Sequence, residues 1–296
     1  ALHDPQQYMR FGKVVAPKDL PERTERLLGA LRKHGITPEQ PAAHGTEPVL
    51  AIHDTGFVKF LETAWARWQD LPAERGPEVW PSTFPYWSGR PDEDVRPPCR
   101  PTGFTVYSLC RPSGHHARAD RATGFCYLNN TAIAAQRLRS QFGKVAILDV
   151  DAHHGDGTQQ IFYRRNDVLT ISVHADPTNY YPFFTGYADE RGNGPGEGFN
   201  LNLPLAHGAG GAAMEAAVAE AGKAIRDFGA EVVVIALGYD AHKDDPIGVL
   251  KLEASDFGTI GRQVKGFGLP TLVVQEGGYA IEAIGDCLDA FLGEFK

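Results

Sequence analysis

Short apolar runs alternate with amphipathic stretches along most of the chain. Five runs rich in Val, Ile and Leu are typical of buried parallel strands, at residues 105–110, 145–150, 168–173, 232–237 and 271–274. Between and after them, apolar residues recur at helical spacing over residues 130–141, 212–228, 254–265 and 280–292. This alternation predicts a doubly wound parallel α/β sheet, and such sheets bind ligands at the carboxyl ends of their strands.

The chain before residue 105 has a different pattern. Leu27, Leu28 and Leu31 form an apolar stripe that predicts a helix over residues 22–33. Residues 71–104 contain eight prolines with Trp, Tyr and Phe between them. A long loop of this composition inside a compact domain indicates a functional segment, with simple surface packing as the alternative.

Composition and charge narrow the classes of partner. The net charge of −8 argues against nucleic acid and agrees weakly with a cationic substrate. The chain has no run of 18 apolar residues and no basic-then-apolar start, so we expect no membrane span, no signal peptide and a cytoplasmic protein. The cysteines form no CxxC pair, which indicates free thiols: Cys99, Cys110, Cys126 and Cys287.

Acidic and histidine side chains follow two of the predicted strands. The motif DVDAHHGDG (149–157) closes the strand at 145–150, and Asp151 and His153 are two positions apart, so their side chains face the same way with Asp149. Asp240 comes just after the strand at 232–237 and supplies a third ligand. A catalytic zinc site needs three protein ligands and one open position. Asp151, His153 and Asp240 are therefore the predicted zinc ligands.

A histidine pair follows the strand at 105–110, in the motif RPSGHHA (111–117). Adjacent histidines do not easily bind one metal together. His115 and His116 can instead act beside an attacking water, one as a general base and one as a cation. Asp149 and Asp156 are spare carboxylates that can orient these imidazoles.

Tyr279 follows the strand at 271–274, in the motif QEGGY. The two glycines permit a tight turn that would bring the Tyr279 hydroxyl to the sheet edge, where it can donate to a developing oxyanion. Each motif alone also has a purely structural interpretation, as a surface histidine pair or a simple turn. Their common position at strand ends favours a catalytic site.

These motifs together resemble the zinc-dependent histone deacetylase family. RPSGHHA, GFCYLNN, DVDAHHGDG, the Asp240 segment and EGGY carry the resemblance, while HADPTNYYPFFTGYADE (174–190) and PERTERLL (21–28) are similar to the bacterial acetylpolyamine amidohydrolase branch. The resemblance implies the arginase–deacetylase fold. In that fold residues 1–296 form one α/β catalytic domain around an eight-stranded parallel sheet flanked by helices, and residues 71–104 form a substrate-entrance loop.

The resemblance also implies a role for each site residue. His116, backed by Asp156, matches the general base and acid, and His115, backed by Asp149, matches its electrostatic partner. Tyr279 matches the oxyanion-stabilising tyrosine. The substrate tunnel would be formed by Gly124, Phe125 and Tyr181. One zinc per chain would be joined by structural potassium. The first potassium would lie beside the Asp149 side chain, with Ser172 and the backbone of Asp151, His153 and Val173, and the second would use backbone near Phe162, Arg165, Val168 and Phe199.

The expected reaction is zinc-dependent hydrolysis of the acetyl amide of acetylated polyamines or related small acetylated amines, releasing acetate and free amine. A protein acetyl-lysine deacetylase is an alternative, although the aromatic loop favours slender substrates. A binuclear manganese ureohydrolase would need further carboxylates, and a non-enzymatic acyl sensor would not need every catalytic position. The resemblance implies a homodimer. One departure from the branch is a shorter stretch just before residue 105.

Overall fold

The computed structural model describes residues 3–10, 13–70 and 106–295. Six strands form its main parallel sheet: β3 (Val106–Ser108), β4 (Val145–Asp149), β5 (Val168–Ala175), β6 (Asn200–Leu205), β7 (Val232–Leu237) and β8 (Thr271–Gln275). Their spatial order is β3-β8-β7-β4-β5-β6, and every neighbouring pair is parallel. A small antiparallel hairpin precedes them, made of β1 (Tyr8–Arg10) and β2 (Lys13–Val15).

Helices cover both faces of this sheet, which is why β4 and β7 are buried along their whole length and are apolar except for Asp149 at the end of β4. The helices are α1 (Glu22–Lys33), α2 (Glu47–Leu50), α3 (Thr55–Gln69), α4 (Asn130–Arg139), α5 (Asp156–Phe162), α6 (Gly211–Phe228), α7 (Ala254–Gly266) and α8 (Ile284–Gly293). The larger core packs α1, α6, α7 and α8 against one face of the sheet. A second core packs α4 and the end of α5 against the other face, where Val145 and Ile147 alternate with residues of the first core.

The predicted parallel sheet is confirmed, with differences in detail. β6 was not predicted, because Asn200 and Asn202 occupy its buried positions where an apolar pattern was expected. The predicted start of the last helix at residue 280 is wrong, since the helix begins at Ile284 after a turn. Residues 281–283 form that turn, which is closed by a hydrogen bond from the amide of Ala283 to the carbonyl of Ala280 (2.8 Å). Six strands are present in the described ranges, and the count of eight stays a prediction.

Two further expectations concern the cysteines and membrane-spanning helices. Cys110, Cys126 and Cys287 carry free thiols, while Cys99 and the loop over residues 71–104 lie outside the described residues. Among the described segments, none of the helices combines the length and the apolar character that crossing a bilayer requires.

The strand order brings the chemical motifs to one edge of the sheet. β4 and β7 are direct neighbours, with Asp149 level with Ala236, and β8 lies on the far side of β7. The segments that follow these strands carry the DVDAHHGDG motif, Asp240 and the QEGGY turn. The histidine pair reaches the same edge after β3, which pairs with β8.

Candidate metal centre and active site

Asp151, His153 and Asp240 form a buried cluster at the carboxyl ends of β4 and β7. One ligand atom from each of the three lies within 4.8 Å of the others. Nδ1 of His153 is 3.2 Å from Oδ1 of Asp151 and 3.0 Å from Oδ2 of Asp240. The structure thus brings together the three side chains that the strand-end motifs single out.

Backbone amides hold both carboxylates of this cluster. Gly277 donates to Oδ2 of Asp151 (2.9 Å), and Ala152 donates to Oδ1 of Asp240 (2.8 Å). A Cβ atom on Gly277 would lie only 2.4 Å from Oδ2 of Asp240. The QEGGY turn therefore packs directly on the cluster, and glycine is needed at this point because of that close approach.

The charges in this cluster are unbalanced without a cation. Burial, and then the Asp151 carboxylate, raise the pKa of Asp240 to about 7. Burial alone would lower the pKa of His153, but the carboxylates of Asp240 and Asp151 raise it to about 9. Two buried carboxylates are costly unless they are neutralised or bound to a cation. The donor set of two carboxylate oxygens and one imidazole nitrogen fits zinc with a position left open.

His115 and His116 lie side by side, with ring centroids 4.0 Å apart. Nδ1 of His115 donates to Oδ2 of Asp149 (2.9 Å), and Nδ1 of His116 donates to Oδ1 of Asp156 (2.7 Å). Nε2 of His115 is 3.8 Å from Oδ1 of Asp151, which links the pair to the metal cluster. Each histidine therefore has the carboxylate that the sequence resemblance implies.

The two histidines differ in charge. Burial, and then the neighbouring His115 cation, lower the pKa of His116 to about 4. Burial opposes the charge of His115 as well, but Asp149 and Asp151 outweigh it and hold the pKa of His115 well above its usual value. At neutral pH the pair therefore consists of a neutral His116 and a cationic His115. This arrangement provides one base and one fixed positive charge.

Three supporting residues of the histidine pair were not predicted. Oε2 of Glu276 accepts the amides of Gly114 and His115 at 2.6 and 3.1 Å. Asn129 donates to the carbonyl of Ala117 at 3.0 Å, and Arg118 makes two hydrogen bonds to Asp156, at 3.0 and 2.8 Å. Glu276 and Asn129 both stand within motifs that the sequence analysis quotes. For Glu276 the available signal was a charged side chain between an apolar run and a glycine turn, and for Asn129 it was the position just before a predicted helix.

Tyr279 is buried beside the cluster and lies on a guanidinium group. The guanidinium carbon of Arg23 is 4.8 Å from the centroid of the Tyr279 ring. Arg23, itself fully buried, donates to the carbonyls of Gly278 (2.5 Å) and Glu276 (2.8 Å) and to Oδ1 of Asp19 (2.6 Å). This contact could not be predicted from sequence, since Arg23 belongs to the helix α1, far from Tyr279 along the chain.

Aromatic side chains lie next to His116 and Tyr279. The Tyr181 ring meets His116 edge-on at 4.8 Å, and its hydroxyl is 2.7 Å from Oγ1 of Thr123. Phe125 lies 6.1 Å from Tyr279, edge-on. Gly124 has a φ of +54°, and a Cβ there would be 2.4 Å from Cδ2 of His116. Gly124 and Tyr181 thus lie against His116, and Phe125, the third predicted substrate residue, lies next to Tyr279.

Tyr180 is a further aromatic contact that was not predicted. Its ring stacks on that of His153 at 4.6 Å with an interplanar angle of 16°. The Tyr180 hydroxyl donates to the carbonyl of Ile247 at 3.0 Å. Tyr180 therefore packs on a face of the His153 ring and limits its orientation.

The residues expected to bind potassium lie in two places. Asp149 and Ser172 are register partners on β4 and β5, followed by Val173. The second set surrounds the junction between α5 and β5, where the amide of Arg165 donates to the carbonyl of Phe162 (2.9 Å). Val168 begins β5, and the Phe199 carbonyl accepts from Thr170 at 3.0 Å.

Comparisons with known proteins agree with this geometry. The histone deacetylase domain model matches residues 101–295. An acetylpolyamine amidohydrolase of Burkholderia pseudomallei is 39% identical, with 100% of this chain and 96% of that protein aligned. The enzyme of the same name from Mycoplana ramosa is 38% identical, over 93% of this chain and 91% of that protein.

A solved structure and the alignment length add to these matches. The crystal structure of acetylpolyamine aminohydrolase from Burkholderia pseudomallei superposes with a TM-score of 0.90 at 38% identity, covering 99% of this chain and 95% of that one. The sequence alignment to the relative from that organism has 327 positions for a chain of 296 residues, so at least 31 positions have no residue here. Missing positions in this chain agree with the expected shorter stretch just before residue 105. The chain therefore belongs to the histone deacetylase family, in the branch of the bacterial acetylpolyamine amidohydrolases.

Proposed function

We propose that the protein hydrolyses the acetyl amide of acetylated polyamines or related small acetylated amines, releasing acetate and the free amine. The observation that carries this proposal is the meeting of the Asp151, His153 and Asp240 cluster with the His115–His116 pair at one sheet edge. The histone deacetylase family is zinc dependent, and the donor set of the cluster fits one zinc. When bound by Asp151, His153 and Asp240, zinc supplies a Lewis acid for the amide carbonyl.

His116 is the proposed general base. Because its Nδ1 donates to Asp156, its Nε2 carries the lone pair in the neutral tautomer. A pKa of about 4 leaves His116 neutral at neutral pH, ready to take a proton from the attacking water. His115 stays cationic beside it and stabilises the negative charge that develops on the substrate oxygen. The proton held at Nε2 of His116 then passes to the leaving amine.

Tyr279 is the proposed hydroxyl donor to the oxyanion. Burial raises the pKa of Tyr279 well above 10, so the hydroxyl keeps its proton at neutral pH. Arg23 supports the ring and the preceding carbonyls, which limits the movement of the hydroxyl. A fixed donor is most effective where charge develops in the transition state.

Slender acetylated amines are the proposed substrates. Phe125 and Tyr181 would line the approach to His116, and the relatives named above are acetylpolyamine amidohydrolases. The net charge of −8 favours a substrate with a cationic tail. Residues 71–104 would contribute the entrance loop. Among the described residues the only metal cluster has three ligands, which favours a single zinc over a binuclear manganese site.

A turnover assay on the zinc-loaded protein tests this proposal. Acetate release is measured from acetylputrescine, acetylspermidine and an acetyl-lysine peptide under the same conditions. We expect the two acetylpolyamines to have the higher kcat/KM. Comparable or better turnover of the peptide would contradict the proposed substrate and favour a protein lysine deacetylase, whereas no turnover of any of the three would contradict the deacetylase chemistry.

Further parts of the proposal concern ions, assembly and location. We propose structural potassium at the Asp149–Ser172 site and near Phe162 and Val168, an eight-stranded arginase–deacetylase sheet, a homodimer and a cytoplasmic location. Loss of thermal stability when potassium is replaced by a large organic cation would support the first. Light scattering at micromolar concentration tests the homodimer, and a species of only 32.2 kDa would contradict it.

A further inference from the structure

The position of Tyr279 depends on the groups that hold the backbone on both sides of the Gly277-Gly278 turn. Gly277 and Gly278 come directly before Tyr279, and Gly278 has a φ of +115°. A pair of glycines leaves the following residue free to move unless other groups fix it. Arg23 fixes the carbonyl side of this turn through Gly278 and Glu276.

Asp245 holds the amide side of the same segment. Its Oδ2 accepts the backbone N–H of Tyr279 at 2.7 Å and that of Ala280 at 3.2 Å. Its Oδ1 accepts the backbone N–H groups of Ile247 (2.9 Å) and Gly248 (3.0 Å). The side chain is buried, so these four amides are its partners in place of water.

This carboxylate ties the Tyr279 segment to the loop that carries Asp240. Asp245 and Asp240 belong to the same connection between β7 and α7, whereas Tyr279 follows β8. A single side chain thus joins the segment of the proposed metal ligand to that of the proposed oxyanion donor. We propose that Asp245 is a positioning residue, which sets the place of the Tyr279 hydroxyl relative to the metal cluster. This inference rests on the proposed role of Tyr279 in the reaction.

The substitution Asp245→Asn replaces one of the two acceptor oxygens by an NH2 group and leaves the side-chain volume almost unchanged. An amide group has one acceptor oxygen, while its NH2 group can only donate. One of the two pairs of backbone N–H groups would then face a donor, and the segment would move to relieve the conflict. A small displacement of a catalytic group lowers kcat more than it changes KM, because the affected hydrogen bond strengthens only in the transition state.

A double-mutant cycle on the zinc-loaded enzyme tests the inference with acetylputrescine as substrate. kcat and KM are measured for the wild type, Asp245→Asn, Tyr279→Phe and the double variant, together with zinc content and melting temperature. We expect Asp245→Asn to lower kcat by about tenfold or more, and by less than the roughly 10²–10³-fold loss from Tyr279→Phe. In the Tyr279→Phe background we expect Asp245→Asn to cause little further loss, since the hydroxyl it positions is already absent.

Asp54→Asn is the matched control. Oδ1 of Asp54 also accepts two backbone amides, those of Gly56 (2.7 Å) and Phe57 (3.1 Å), at the start of α3. Because a single oxygen accepts both amides here, the amide oxygen of Asn can replace it, and this variant should keep both the melting temperature and kcat close to those of the wild type. If Asp245→Asn does not fold, Asp245→Ser enters the same cycle, because the smaller side chain admits a water as the replacement acceptor.

Three outcomes would overturn the inference. The first is an equal loss of kcat from Asp245→Asn with and without the Tyr279 hydroxyl, which would assign Asp245 a general structural role. The second is a fall in zinc content that matches the fall in kcat, which would show that Asp245 positions the metal ligand Asp240 and not the Tyr279 hydroxyl. The third is a normal kcat for Tyr279→Phe, which would also overturn the proposed role of Tyr279, whereas the first two leave that role intact.

Discussion

An added methyl group at Gly277 would collide with two of the proposed zinc ligands. An ideal Cβ at this position lies 2.4 Å from Oδ2 of Asp240 and 2.7 Å from Oδ2 of Asp151, whereas real Cβ atoms essentially never approach within 3.0 Å. Gly277 does not have a positive φ, so the collision is the main cost of Gly277→Ala. The Asp240 oxygen must retreat from 2.4 Å to at least 3.0 Å, or the turn itself must shift.

That displacement exceeds what a metal site tolerates. Metal–ligand distances hold to within roughly 0.2 Å, so a ligand moved by more than this binds poorly. A shift of the turn would weaken the hydrogen bond from the Gly277 amide to Asp151, which orients that ligand. Disturbing such supporting groups lowers metal affinity by about 10–100-fold. We therefore expect Gly277→Ala to lower zinc affinity by that factor.

Chelator competition on purified protein measures the zinc dissociation constant directly. The matched control is Gly29→Ala in α1, where a Cβ would meet no atom within 4 Å and φ is not positive. This variant should keep wild-type zinc affinity and gain about 0.4–1 kcal/mol of stability. Wild-type zinc affinity in Gly277→Ala would refute the close packing of the QEGGY turn on the ligand carboxylates.

Three further predictions concern single side chains. Tyr279→Phe should keep zinc content and melting temperature but lose about 10²–10³-fold in kcat, or about 3–4 kcal/mol, and a near-normal kcat would remove Tyr279 from the mechanism. His3, Arg23 and Arg111 outweigh the effect of burial and lower the pKa of Asp19 from 3.8 to about 2. Its stabilisation of about 2 kcal/mol is therefore present above pH 3.8 and lost as the pH falls through 2, and Asp19→Asn should abolish that pH dependence in denaturant unfolding. Glu276→Leu should cost about 1–3 kcal/mol by leaving buried amides unpaired, whereas Glu276→Gln keeps an acceptor and should cost less in the same unfolding experiment.

The strands that form the centre of the sheet could be predicted because their apolar runs are buried on both faces. β4 and β7 match the predicted segments to within one residue. β6 could not be predicted in the same way, because its buried positions hold Asn200 and Asn202. Their amides donate to Oε1 of Gln159, both at 2.9 Å, so a polar network replaces apolar packing on that strand.

The candidate site was accessible from sequence because its main residues stand next to strand ends. Two adjacent parallel strands are enough to bring together the side chains of Asp151, His153 and Asp240. Arg23 and Asp245 could not be found in this way, since each acts on the Tyr279 segment from a distant part of the chain. A single sequence does not show which buried charge will reach which backbone group, and that information comes only from the packed fold.

The most direct test of the single-zinc assignment is a zinc titration of metal-stripped protein, read as acetate released from acetylputrescine. We expect no turnover before zinc is added, a linear rise, and saturation at one zinc per chain. For Asp240→Ala we expect no recovery of turnover at any zinc concentration. Turnover without added metal, saturation at two ions per chain, or full recovery in Asp240→Ala would contradict the assignment of a single zinc to Asp151, His153 and Asp240.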